Sequence, residues 1–113
     1  PSTMQMELCD SLGMMVMAES LDMWKIPNCK NGYARFFDET DTEHVNADGQ
    51  KWYLRDISNL VRVNRNHPSI VTWTPMNEEW WPDRVQFPRF VSDVYDITKA
   101  LDTTSPVCDM SGS

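Results

Sequence analysis

The 113-residue sequence holds only three cysteines, four glycines and two histidines. Cys9, Cys29 and Cys108 are odd in number and unevenly spaced, with no Cys-x-x-Cys pair and no Cys/His ligand set beside them. Neither a disulfide framework nor a zinc site is expected, and reduced thiols are the default. Ten Lys and Arg stand against 17 Asp and Glu, a net charge of −7, and the basic residues are scattered. Phosphate binding needs clustered cations, so no nucleic-acid partner is expected. No apolar run approaches the roughly 20 residues that cross a bilayer, and no basic start with an apolar core marks a signal peptide, so no membrane partner is expected. Repeats and low-complexity segments are also lacking, and nothing in the chain indicates a compartment.

What is present is the composition of one ordinary globular domain, 41% hydrophobic and 24% charged. Met4, Leu8 and Leu12, spaced by four, form an apolar stripe that predicts a helix near 2–12, with Gly13 placed for its C-cap. The continuous apolar run near 14–18 predicts a strand buried on both faces, with Glu19 at its carboxyl end. From Lys25 to Gln50 no period is sustained, which reads as a long loop carrying the aromatics Tyr33, Phe36 and Phe37. His44, between Glu43 and Val45, reads as a solvated side chain. Leu54, Ile57, Leu60 and Val61 predict an amphipathic helix near 50–64, capped upstream by Asp48, with Arg62 and Arg65 suiting the dipole at its end. Phe90, Val94, Ile97 and Leu101 predict another helix near 88–101, followed by a short strand near 106–108. Alternation of helix and strand predicts an α/β fold with parallel strands and crossover helices.

Chemistry concentrates in the stretch 66–81. Ile70 to Thr74 is an uncharged run of β-branched and aromatic residues, entered by an Asn-His-Pro turn and followed by Pro75, which predicts a buried strand near 70–74. Asn77, Glu78 and Glu79 then fall at its carboxyl end, where parallel α/β folds place their chemistry, with Trp73, Trp80 and Trp81 around them. A carboxyl group against indole walls loses hydration of its charged form, so it holds a proton closer to neutral pH and can donate it to a leaving oxygen. Indole faces accept the C–H faces of a sugar ring, and an amide such as Asn77 can hydrogen-bond a hydroxyl. The plainer alternative is a solvated helix start beside core tryptophans.

Arg65-Asn66-His67-Pro68-Ser69-Ile70-Val71, then Trp73 and Asn77-Glu78, resembles the signature of glycoside hydrolase family 2, the β-galactosidase, β-glucuronidase and β-mannosidase group. Cys9-Asp10-Ser11-Leu12-Gly13 through Val16 to Glu19, Asp22, Met23 and Trp24 resembles the third strand of the same family and the loop after it, with Ala18 where an acidic residue commonly stands. The resemblance implies a (β/α)8 TIM barrel, of which this chain would supply a part from roughly helix 2 to strand 5, since a complete barrel takes roughly 250 residues. It implies a retaining β-glycosidase acting on a carbohydrate, with Glu78 as general acid/base and Asn77 as its sugar-binding neighbour. Trp73 and Trp80 are candidate sugar platforms, and Glu19 is a candidate support for the site, with pairing to a nearby lysine or arginine as its alternative. His67, at the amino end of the strand, is expected to make a structural hydrogen bond.

Some members of that family bind magnesium in the loop after the third strand. Here Met23 and Lys25 occupy the corresponding places, so no metal and no cofactor is expected. The nucleophile of the family comes from the seventh strand, which would lie in the rest of the parent polypeptide, so the 113 residues alone are expected to be inactive. Two other functions fit the residues: a carbohydrate-binding barrel remnant without hydrolysis, and a small domain that docks a protein partner.

Overall fold

A computed structural model describes residues 1–22, 49–77 and 86–108. Its elements are α1 (Thr3–Leu12), β1 (Val16–Asp22), α2 (Trp52–Asn64), β2 (Ile70–Asn77) and α3 (Gln86–Leu101). The two strands are parallel neighbours, and Val107 bridges to Trp73 on the other side of β2, also in parallel. β2 is therefore central, which accounts for its apolar, two-sided burial.

Local chemistry sets the ends of α1. The Ser2 hydroxyl accepts from the Gln5 amide at 3.2 Å, and Gly13 takes a left-handed φ of 67° that closes the C-terminus. The expected apolar stripe, however, points away from the core. Met4, Leu8 and Leu12 are exposed, and Met6 is the residue of α1 that packs inward. Met14, Met15 and Met17 are exposed too, so the approach to β1 and one of its faces are open among the described residues, whereas burial on both faces was expected.

A register irregularity explains which residues of the strands reach the core. Val16 pairs with Ile70 but Met17 pairs with Thr72, leaving Val71 as an extra residue on β2. That bulge resets the two-residue alternation, so Ile70 and Trp73, three apart, both enter the core while Val71 is turned out. β2 also runs further than expected, through Pro75 to Asn77. Ladder partners fall on Thr74 and Met76 and skip Pro75, so the missing N–H costs no rung in the pairing with β1. β1 likewise continues to Asp22 rather than ending near residue 18.

Helices α2 and α3 cover the sheet. Tyr53, Ile57 and Val61, at spacings of four, are fully buried on α2, with Leu54 and Leu60 packed beside them. Phe90 and Val94 answer from α3, and the Tyr53 and Phe90 rings lie 4.9 Å apart at 37°. Three buried polar side chains on these helices bond back to their own turns: Ser58 to the Leu54 carbonyl at 2.6 Å, Asn64 to Leu60 at 2.9 Å, and Thr98 to Val94 at 2.8 Å. The N-cap of α2 is Lys51, without a side-chain cap bond of its own; Asp48, the expected cap, lies outside the described residues. Arg65 acts on a different helix from the one expected: its Nη1 donates to the Leu101 carbonyl at 2.8 Å, satisfying the C-terminus of α3.

Candidate active site

The turn that launches β2 is anchored from α1. His67 Nδ1 lies 2.6 Å from Asp10 Oδ2, and the Ser69 amide donates to Asp10 Oδ1 at 2.9 Å. Hydrogen bonds from Ser69 and then His67 hold the Asp10 carboxyl below its ordinary value. His67 thus makes the structural hydrogen bond read from its position, at the amino end of the strand and away from Asn77.

Asn77 ends β2, half-buried, directly opposite Asp22 in the register. Glu78 is the next residue in the chain. Glu78, Glu79, Trp80 and Trp81 lie outside the described residues, as do Met23, Lys25 and His44. Glu19 does not stand level with Asn77, since it pairs with Thr74, three residues lower on β2, or about 10 Å at roughly 3.3 Å per residue. Its side chain is exposed, on the face opposite that of Ala18 and Trp73. The residue brought level with Asn77 is Asp22, which stands in the family resemblance but was not expected at the site, because the apolar run gave no sign that β1 continues past Glu19.

Trp73 is no sugar platform in this structure. It is 1% exposed within the core, and its Nε1–H donates to Asp102 Oδ2 at 2.8 Å. Asp102 follows α3 and is itself buried. Burial pushes its carboxyl up, but hydrogen bonds from Thr104, Trp73 and Ser105 outweigh that and hold it well below the usual carboxylate range. The β-branched and aromatic run that marked the strand could not distinguish a platform from a core residue, because both use the same indole.

The described part of the site is thus an amide at the end of a central parallel strand, level with an acidic residue on the neighbouring strand. A side-chain amide can both accept and donate hydrogen bonds to hydroxyls, and this one stands at the strand end that carries chemistry in parallel barrels. Among the described residues no group of three His, Cys, Asp or Glu gathers to hold a metal ion, and no helix is long and apolar enough to cross a membrane.

Parallel strands linked by helices, with the polar end of the central strand set apart from an anchored amino end, define a segment of a parallel α/β fold. The family described as glycosyl hydrolases family 2, TIM barrel domain, matches residues 1–112, and the chain belongs to it. The β-galactosidase BoGH2A of Bacteroides ovatus is 35% identical over 85 residues, covering 74% of this chain and 9% of that protein. The β-glucuronidase of Sus scrofa is 29% identical over 110 residues, covering 96% of this chain and 14% of that protein. A solved glycosyl hydrolase family 2 member from Bacteroides cellulosilyticus superposes with a TM-score of 0.76 at 30% identity, over 98% of this chain and 13% of that one. The chain therefore spans about a tenth of the length of these relatives, and its open sheet is a part of the family's TIM barrel.

Proposed function

We propose that the polypeptide carrying this chain is a retaining β-glycosidase in which Glu78 is the general acid/base and Asn77 binds a sugar hydroxyl beside the scissile bond. The observation that carries this reading is the placement of Asn77 at the carboxyl end of the central strand, with Glu78 next in the chain. In the first step Glu78 gives its proton to the glycosidic oxygen as a second carboxylate attacks the anomeric carbon and the alcohol departs. In the second step Glu78 takes a proton from water, which displaces that carboxylate from the sugar. The nucleophile must stand about 5 to 5.5 Å from Glu78, and it lies outside these 113 residues. Trp80 is assigned as the sugar platform now that Trp73 is a core residue. The substrate class is a β-glycoside, with galactosides and glucuronides as the first sugars to test because relatives bear those names.

The test is hydrolysis of aryl β-glycosides by the whole polypeptide and its Glu78→Gln variant. Glutamine keeps the shape and cannot donate the proton. Loss on poor leaving groups with partial retention on activated ones supports the assignment, and equal activity of variant and parent removes Glu78 from the mechanism.

A further inference from the structure

We propose that Asp102 is a positioning residue for the active-site end of β2, acting through the Trp73 indole on the register between β2 and the chain that follows α3. Asp102 is 7% exposed and collects four hydrogen bonds. Its Oδ2 accepts the Trp73 indole N–H at 2.8 Å, from a residue 29 positions earlier. Its Oδ1 accepts the Thr104 amide at 2.9 Å, the Thr104 hydroxyl at 2.7 Å and the Ser105 amide at 3.2 Å. One carboxylate thus shapes the turn after α3 with one oxygen and grips the middle of β2 with the other.

The turn so shaped is the one that sets the register. The Pro106 carbonyl accepts the Trp73 amide at 2.9 Å and the Thr72 hydroxyl at 3.1 Å, and the Cys108 amide returns to the Trp73 carbonyl at 2.8 Å. Lys99 ties the turn to α3 through the Thr103 and Ser105 carbonyls at 3.2 and 2.9 Å. Trp73 is therefore fixed by backbone on one side and by side chain on the other, both referred to Asp102. A parallel ladder by itself can shift by two residues and keep every side chain on its face, whereas the indole bond to Asp102 is made in one register alone.

Register matters here because a barrel assembles its site from the ends of several strands. A two-residue shift would move Asn77 by about 6.6 Å relative to the next strand. Far smaller errors count, since a displacement of about 1 Å from a change remote from the chemistry can cost about 100-fold. Asn77 stands four residues above Trp73 on the same strand, so holding Trp73 sets the height of Asn77 and of whatever follows it.

This proposal rests on the acid/base reading of Glu78, and the test separates the two. Whole polypeptides carrying Asp102→Asn, Trp73→Phe, both together, or Glu78→Gln are assayed on aryl β-glycosides of graded leaving-group acidity, alongside thermal melts. An asparagine must turn its NH2 toward either the indole N–H or the Thr104 and Ser105 amides, so it breaks one side of the grip. Expected for Asp102→Asn is a loss of about 10- to 100-fold in kcat on poor leaving groups, with a much smaller loss on activated ones and KM nearly unchanged. Trp73→Phe removes the same N–H and should give the same pattern, and the double variant should be no worse than the more impaired single one. Should Asp102→Asn yield no folded protein, Trp73→Phe decides alone. A loss equal for all leaving groups that follows the folded fraction, or unchanged kinetics, overturns the positioning role while Glu78→Gln still shows its leaving-group dependence. A Glu78→Gln variant without that dependence overturns the acid/base reading and this proposal with it.

Discussion

Expressed alone, the 113 residues should fail to form a stable monomer. Six large apolar side chains, Met4, Leu8, Leu12, Met14, Met15 and Met17, are between 52% and 80% exposed. Fully burying a Leu or Met is worth about 1.5–3 kcal/mol, so at these exposures the six leave about 6–12 kcal/mol of burial unrealised. A whole domain is stable by about 5–15 kcal/mol, so the uncovered surface is comparable to the entire margin. Sedimentation and urea titration followed by circular dichroism test this: the isolated chain should self-associate and lose structure gradually, and should hydrolyse no aryl glycoside. Leu8→Gln, Leu12→Gln and Met15→Gln together should raise the monomeric fraction of the isolated chain and, if the rest of the barrel covers this face, lower the melting temperature of the whole polypeptide. A soluble monomer unfolding in one sharp transition, with more than about 5 kcal/mol of stability, would refute the reasoning.

Three further outcomes follow from the packing and the site. Tyr53→Phe should cost only about 0.5–1 kcal/mol, because it removes the long 3.3 Å bond to Asp93 and keeps the ring against Phe90. Tyr53→Ala should cost about 3–5 kcal/mol, and thermal melts that fail to separate the two would show that the ring is not what joins α2 to α3. For Asp102, whose folded carboxyl is held below its ordinary value, the unfolded chain binds the proton more readily. Its contribution is therefore present above the unfolded pKa of about 3.9 and is lost as pH falls below it. Urea midpoints should drop more between pH 7 and pH 3.5 for the parent than for Asp102→Asn, and equal drops would contradict the four-bond geometry. Asn77→Ala should weaken kcat/KM by about 10- to 100-fold with the fold intact, the loss of a charge-free hydrogen bond to a sugar hydroxyl, and unchanged kinetics would detach Asn77 from the site.

Much of the fold and part of the site were legible in the sequence. The Ser2 cap, the Gly13 terminus, the helical spacing of Ile57 with Val61 and of Phe90 with Val94, and the placement of Asn77 at the carboxyl end of a buried strand all depend on interactions a few residues long. Such interactions are written in local order. The Asn-His-Pro-Ser-Ile stretch, with its Asn-Glu sequel, likewise required no coordinates to point toward the family whose model matches residues 1–112.

Tertiary structure decided the rest. Periodicity showed that Met4, Leu8 and Leu12 share a face, but the buried residue of α1 is Met6, because the sheet meets the other side of the helix. An apolar run marked β1 without showing that pairing with β2 carries it on to Asp22, level with Asn77. The same indole could serve a sugar or the core, and Asp102, 29 residues away, settled Trp73 for the core. Asp10 and His67 meet across 57 residues. Spacing along the chain fixes which side chains travel together, whereas the partner each one finds depends on how distant segments are brought alongside, and that is set by the packing of the whole sheet and its helices.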